Sequence, residues 1–130
     1  MALITVKGKK TGRKDCRGYG ATAAKGLINA NEAVMLENIF KLFANTTRLR
    51  LLHSLVLNTE MAVLELSKNI KMKPQTVSNQ LRMMAHMGII GVRRDGNRRF
   101  YKILDPCVKV LLERGICLNR DSEKRKAGLQ

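Results

Sequence analysis

Tryptophan is absent from these 130 residues, aromatics make up 4% of them, and proline occurs twice. So few rings argue against an aromatic-rich sandwich and for helices packed through Leu, Ile, Val and Met. No apolar run approaches the ~18 residues of a membrane span, and Met1 to Val6 is too short for a signal-peptide core. Three cysteines are too few and too odd in number for a secreted disulfide scaffold, so a reducing cytoplasm is expected. Two histidines and scattered carboxylates leave little for general acid–base chemistry, so an enzyme is the weak hypothesis.

Acidic residues are also scarce: 10 Asp and Glu stand against 25 Lys and Arg, a formal net charge of +15. The excess is uneven. Residues 1–30 carry seven basic groups against Asp15, residues 31–70 cancel, and residues 71–104 carry eight basic groups against Asp95. Clustered positive charge attracts phosphate backbones in a salt-dependent way. A solvated basic surface kept for solubility is the bland alternative.

Residues 1–30 mix glycine and charge, as in Lys7-Gly8-Lys9-Lys10 and Arg17-Gly18-Tyr19-Gly20, and are expected to form a mobile basic arm. From Glu32, Val34, Met35, Leu36, Ile39, Phe40 and Phe43 recur at helical steps. Asn45-Thr46-Thr47 offers a cap to a second helix with Leu49, Leu52, Leu55 and Val56 as its stripe. Thr59 and Glu60 open a third helix with Val63, Leu64 and Leu66 inward. Pro74 suits the first turn of a fourth, which buries Val77, Leu81 and Met84.

Past Gly88 the period drops to two. Ile90 and Val92 alternate, Asp95-Gly96 marks a hairpin turn, and Phe100, Tyr101 and Ile103 follow. Asp105-Pro106 then opens a last helix with Val108, Leu111 and Leu112, and residues past Asn119 are expected to fray as a charged tail, 119–130. The order is α-α-α-α-β-β-α, mainly α with a small β-hairpin, with the folded domain at 31–118.

Two short helices joined by a tight break and followed by a basic hairpin make a winged helix-turn-helix, whose second helix fits the major groove of duplex DNA. With Val77 facing the core, steps of 100° send Gln75, Asn79 and Arg82 to the opposite face, where Gln and Asn suit adenine and Arg suits guanine. Lys73, Thr76, Ser78 and Gln80 flank that face and suit phosphates or base edges. Arg93, Arg94, Arg98 and Arg99 bracket Asp95-Gly96-Asn97, a wing suited to phosphates or a narrow minor groove, with Asn97 at its tip. A basic protein binding RNA or the nucleoid without sequence preference is the competing reading.

The stretch Leu42-Phe43-Ala44-Asn45-Thr46-Thr47-Arg48-Leu49-Arg50-Leu51-Leu52 resembles the A-D-P-T-R-L-R-I-L signature of ArsR/SmtB-type winged-helix repressors. Met72 to Leu81 is similar to their L-S-Q-P-T-V-S-x-H-L recognition helix, with Lys73 in place of Ser and Gln80 in place of His, and Gly88-Ile89-Ile90 leads into the wing. The resemblance runs from about Glu32 to Leu118. It implies a homodimeric repressor joined through the first and last helices and released from its operator by an inducer. Many metal-sensing members carry E-L-C-V-C-D-L in the third helix. Here Glu60 to Leu66 places Ala62 and Leu64 at the two thiolate positions, which excludes a soft-metal site there.

Cys107 and Cys117 fall ten residues apart on the last helix, about 15 Å along its axis, so they cannot meet within one chain. A second subgroup of the family binds metal between antiparallel last helices across the dimer. Asp105, Cys107, Cys117 and Asp121 loosely echo that plan, with Cys16 as a third thiolate. Such a set would take zinc or a thiophilic metal, or close a redox-sensitive bridge; packing as small apolar groups is the alternative.

Overall fold

The computed structural model describes residues 26–129; the expected arm lies largely outside them. The elements are α1 (Ala30–Phe43), α2 (Thr46–Asn58), β1 (Glu60–Ala62), α3 (Val63–Ile70), α4 (Pro74–His86), β2 (Ile90–Asp95), β3 (Arg98–Ile103) and α5 (Pro106–Gly128). They form a winged helix-turn-helix with five helices and a basic hairpin, as the periodicity predicts.

Local chemistry sets the boundaries. Asn29 and Glu32 form a reciprocal capping box at the start of α1, each side chain taking the other's backbone N–H at 2.9 Å. The Asn45 side chain accepts from the Arg48 N–H and opens α2, Pro74 opens α4, and Asp105 caps α5 ahead of Pro106. The hairpin loop is Gly96-Asn97, with φ of +61° at Gly96 and positive φ at that central residue alone, the pattern of a type II′ turn.

Three expectations are corrected. Glu60 does not open a helix: Glu60–Ala62 is a short strand paired antiparallel with β3 in a sheet of order β1-β3-β2. Helix α3 therefore starts at Val63, which turns Leu64 outward at 61% exposure while Leu66 stays buried. Residues past Asn119 do not fray. Helix α5 continues to Gly128, supported by the Lys126–Glu123 ion pair and by strong helix formers such as Glu, Lys, Arg and Ala.

The core gathers Leu51, Leu52 and Leu55 of α2, Leu66 and Ile70 of α3, and Val77, Leu81 and Met84 of α4. One face of the sheet closes it with Met61, Val92 and Tyr101, which share a row across the three strands. Val108 and Leu112 seat the start of α5 on α2. Buried Ser54 donates to Met61 Sδ and accepts from Asn69, so its hydroxyl is satisfied inside the core.

Helix α1 is different. Of its fourteen residues only Leu42 and Phe43, at the C-terminal end, are buried, and Val34, Met35, Leu36 and Phe40 stand exposed. Apart from Ile39 and Phe43, which pack on the core, the apolar pattern read from this helix therefore faces away from the protomer's own core. On α5, Val110, Leu111, Ile116 and Leu118 are exposed as well.

Candidate nucleic-acid interface

Val77, Leu81 and Met84 are all fully buried, which fixes the rotation of α4 and leaves Gln75, Asn79 and Arg82 on its exposed side. The three are wired together. Gln75 Nε2 donates to Asn79 Oδ1 at 3.2 Å, and Arg82 Nη2 donates to the same oxygen at 2.8 Å. This links the three exposed side chains in one row through a single oxygen, Asn79 Oδ1. A bidentate contact of Asn79 with adenine needs Oδ1, so such a contact would exchange these two internal bonds for one to the base.

The flanking residues separate into two kinds. Lys73 is exposed at the N-terminus of α4, and Thr76 and Ser78 are half-buried. Gln80 is committed inward: its Oε1 accepts from Arg48 Nη1 at 3.1 Å. Arg48 also donates to the carbonyls of Leu42 and Lys41, at 2.6 and 3.3 Å. It thus ties the end of α1 to α4. Its place within the Leu42–Leu52 signature is a signal that could have marked it; the sequence reading assigned it no role.

The wing arginines are likewise not equivalent. Strand pairing sets Arg93 opposite Phe100, Arg94 opposite Arg99, and Asp95 opposite Arg98. Arg93 makes a two-nitrogen contact with Glu60, closest at 2.6 Å, and its guanidinium lies 4.5 Å from the Phe100 ring centre. Arg98 covers the same ring at 5.1 Å and approaches Glu65 at 3.7 Å. The Arg93 bond holds the Glu60 carboxyl below the usual glutamate range, against a smaller opposing effect of burial, and the Arg93 guanidinium is raised in return.

Arg94 and Arg99 sit on the other sheet face with no ion-pair partner among the described residues. Two like charges directly opposite each other repel, and a bound anion would relieve that repulsion. Asn97 is exposed at the turn. Glu60, Glu65 and Phe100 are the wing's anchors. Sequence reasoning missed the two carboxylates because Glu60 meets Arg93 only across 33 positions of chain.

Among the described residues, Cys107 and Cys117 are not joined within a protomer. Asp105 Oδ1 accepts from the Cys107 N–H at 2.8 Å as the cap of α5. Cys107 is disulfide-bonded, whereas Cys117 is an exposed free thiol that donates to Asp121 Oδ2 at 3.7 Å. Cys16 lies outside the described residues. Among the described residues of one protomer, no three His, Cys, Asp or Glu side chains come close enough to hold a metal ion.

The model of bacterial regulatory proteins of the arsR family matches residues 45–92, from the Asn45 cap through α4 to Val92 of the wing. An uncharacterized HTH-type transcriptional regulator of Methanocaldococcus jannaschii is 35% identical over 75 residues, covering 58% of this chain and 84% of that protein. Among solved structures, the AntR antimony-specific transcriptional repressor is 44% identical, with a TM-score of 0.71 over 77% of this chain and 90% of its own. The homodimeric winged helix-turn-helix DNA-binding domain of a Mycobacterium bovis protein is 25% identical, with a TM-score of 0.63 over 75% of this chain and 93% of its own. Helix order, recognition-face chemistry and these likenesses agree: the chain belongs to the ArsR family of DNA-binding transcriptional regulators, and is not an enzyme.

Proposed function

We propose that the protein is a homodimeric repressor that reads a palindromic duplex operator with α4 and grips it with the β2–β3 wing. The observation that carries this reading is the row Gln75–Asn79–Arg82, held in register by two side-chain bonds and exposed on a helix whose other face is fully buried. Lys73, Thr76 and Ser78 supply contacts beside that row, and Arg94, Arg98, Arg99 and Asn97 supply the wing's. Gln80 and Arg93 act as positioning residues, since each is bonded to another part of the fold.

Dimerisation follows from α1. A helix of fourteen residues with almost no buried side chain is marginal by itself in water, so its apolar face calls for a cover. The exposed apolar residues of α1 and α5 form one such surface, and a second copy of the chain supplies it. A two-fold dimer then presents two α4 helices to half-sites one or two helical turns apart. Acting on DNA places the protein in the cytoplasm. No described helix is long and apolar enough to cross a membrane.

The inducer is a thiophilic metal ion or a thiol-reactive compound acting at α5. Cys117 is an exposed thiol between Ile116 and Leu118 on the surface assigned to the dimer. The antimony-specific repressor at 44% identity supports a thiophilic ligand. Among the described residues no protomer holds a donor cluster, so a metal-bound form calls for reduction of the Cys107 disulfide and for donors shared across the dyad, with Asp105 and Cys107 of one protomer near Cys117 and Asp121 of its partner.

Selection from a random duplex pool at near-physiological salt tests the reading. Enrichment of an imperfect palindrome establishes the dimeric operator-binder; binding that only decays with salt, with no enriched sequence, establishes a charge-driven nucleic-acid binder instead. Titration of the operator complex with metalloids and oxidants, for the wild type and for Cys107→Ser and Cys117→Ser, then tests the inducer.

A further inference from the structure

Beside Lys73, which already flanks the recognition row, the end of α3 and the turn into α4 carry two further cations, Lys68 and Lys71, that neither the row nor the wing uses. Lys68, Lys71 and Lys73 line a hollow of about 550 Å³ there, together with Leu64, Met72 and Pro74. All three lysines are exposed, and none has an ion-pair partner among the described residues.

Lys71 is the telling member. It ends α3 in the left-handed conformation, φ 57° and ψ 50°, its N–H donating to the Ser67 carbonyl. The next N–H, of Met72, reaches the same carbonyl at 3.0 Å. Glycine is the ordinary occupant of such a position, because it alone lacks the Cβ that crowds there. The helix ending itself needs no side chain at this place. A lysine here adds a strained backbone and a cation, and the strain makes the cation the feature to explain.

We propose that Lys68, Lys71 and Lys73 form a seat for phosphates of the DNA backbone beside the groove that α4 enters. The inference rests on α4 being the recognition helix. Such a helix brings its N-terminal residues to the base edges, so the turn that delivers its N-terminus stands at the groove wall, where the phosphates lie. Lys68 and Lys71 extend the contact beyond α4 itself, and flexible ammonium groups suit phosphate oxygens as point charges. The seat recognises the phosphodiester and not the base, so it strengthens binding to every sequence alike.

The test measures binding of the full-length protein to its selected operator and to a scrambled duplex of equal length, across a salt series. The variants are Lys68→Gln/Lys71→Gln and Lys71→Gly. The double variant is expected to lose affinity for both duplexes by the same factor, and its log–log salt slope to fall by about two. Lys71→Gly is expected to lower the slope by about one while its unfolding midpoint stays level or rises, since glycine relieves the left-handed strain. A purely structural role would not separate those two readouts. Wild-type slopes and affinities in both variants would overturn the seat while leaving α4 as the reader; loss at the operator alone would overturn it by making these base contacts. A wild-type protein without affinity for either duplex would overturn the reading of α4, and the seat with it.

Discussion

Arg93 Nη2 on β2 lies 2.6 Å from Glu60 Oε1 on β1, its guanidinium reaching across β3 above the Phe100 ring. A three-residue strand at the entrance to α3 is thereby fastened to the wing's far strand, and the wing is fixed relative to the helix-turn-helix by charge as well as by the sheet ladder. The stretch Glu60 to Leu66 is the one that offers thiolates in metal-sensing relatives. In this chain its carboxylates, Glu60 and Glu65, instead meet two wing arginines.

That pair makes stability depend on pH in a defined direction. The Arg93 bond lowers the folded-state pKa of Glu60 below its ordinary 4.5. The stabilisation is therefore complete above the unfolded value and is lost as pH falls through the folded one. Urea midpoints measured from neutral to acid pH should show the wild type above Glu60→Gln at neutrality, with the two curves converging in acid. Parallel curves would show that the carboxylate contributes nothing.

Recognition and grip should separate by mutation. Arg82→Ala removes a base-reading group and is expected to cost about 1–3 kcal/mol at the operator, with little change on scrambled DNA. Arg94→Ala or Arg99→Ala should weaken both duplexes alike and lower the salt slope by about one each. Competition binding at two salt concentrations distinguishes the patterns. Equal losses on both duplexes for Arg82→Ala would remove it from the reading row.

The seat of α4 carries its own prediction. Leu81 is fully buried beneath the exposed row, so Leu81→Ala is expected to cost about 2–5 kcal/mol in a denaturant unfolding experiment. Operator affinity per folded molecule should fall as well, because the cavity frees the rotation that aims Gln75, Asn79 and Arg82. A loss below 1 kcal/mol would mean that the core beneath α4 collapses to fill the gap.

What could be read from the sequence follows the range of the interactions. Caps and turns are local, so Asn45, Pro74, Gly96 and Asp105 were legible from single residues, and the period of 3.6 located Val77, Leu81 and Met84. Strand β1 was not. Its partners on β3, Phe100 to Lys102, lie about forty positions on, and three residues are too few to show alternation against a neighbouring helix. Separations of 33 and 32 positions likewise hid the Glu60–Arg93 pair and the Arg48–Gln80 bond. Fraying past Asn119 was expected from charge alone, yet charges of both signs at helical spacing sustain α5 to Gly128. For α1, periodicity showed an apolar face without showing what covers it.

That uncovered face gives the last prediction. Phe40 is 51% exposed at the rim of a hollow of about 610 Å³ between α1, α2 and α5, with Leu111 and Ile116 on its other side. If a second copy covers this surface, Phe40→Glu places a charge in an apolar interface while disturbing little inside the protomer, which buries only half of that ring. Sedimentation velocity should then show a dimer for the wild type and a monomer for the variant, with helical content and unfolding cooperativity kept. Operator affinity should drop by more than tenfold, since one α4 helix cannot span two half-sites, while scrambled DNA loses less. A variant that stays dimeric would place the interface elsewhere, and a monomeric variant with full operator affinity would show that a single protomer suffices for binding.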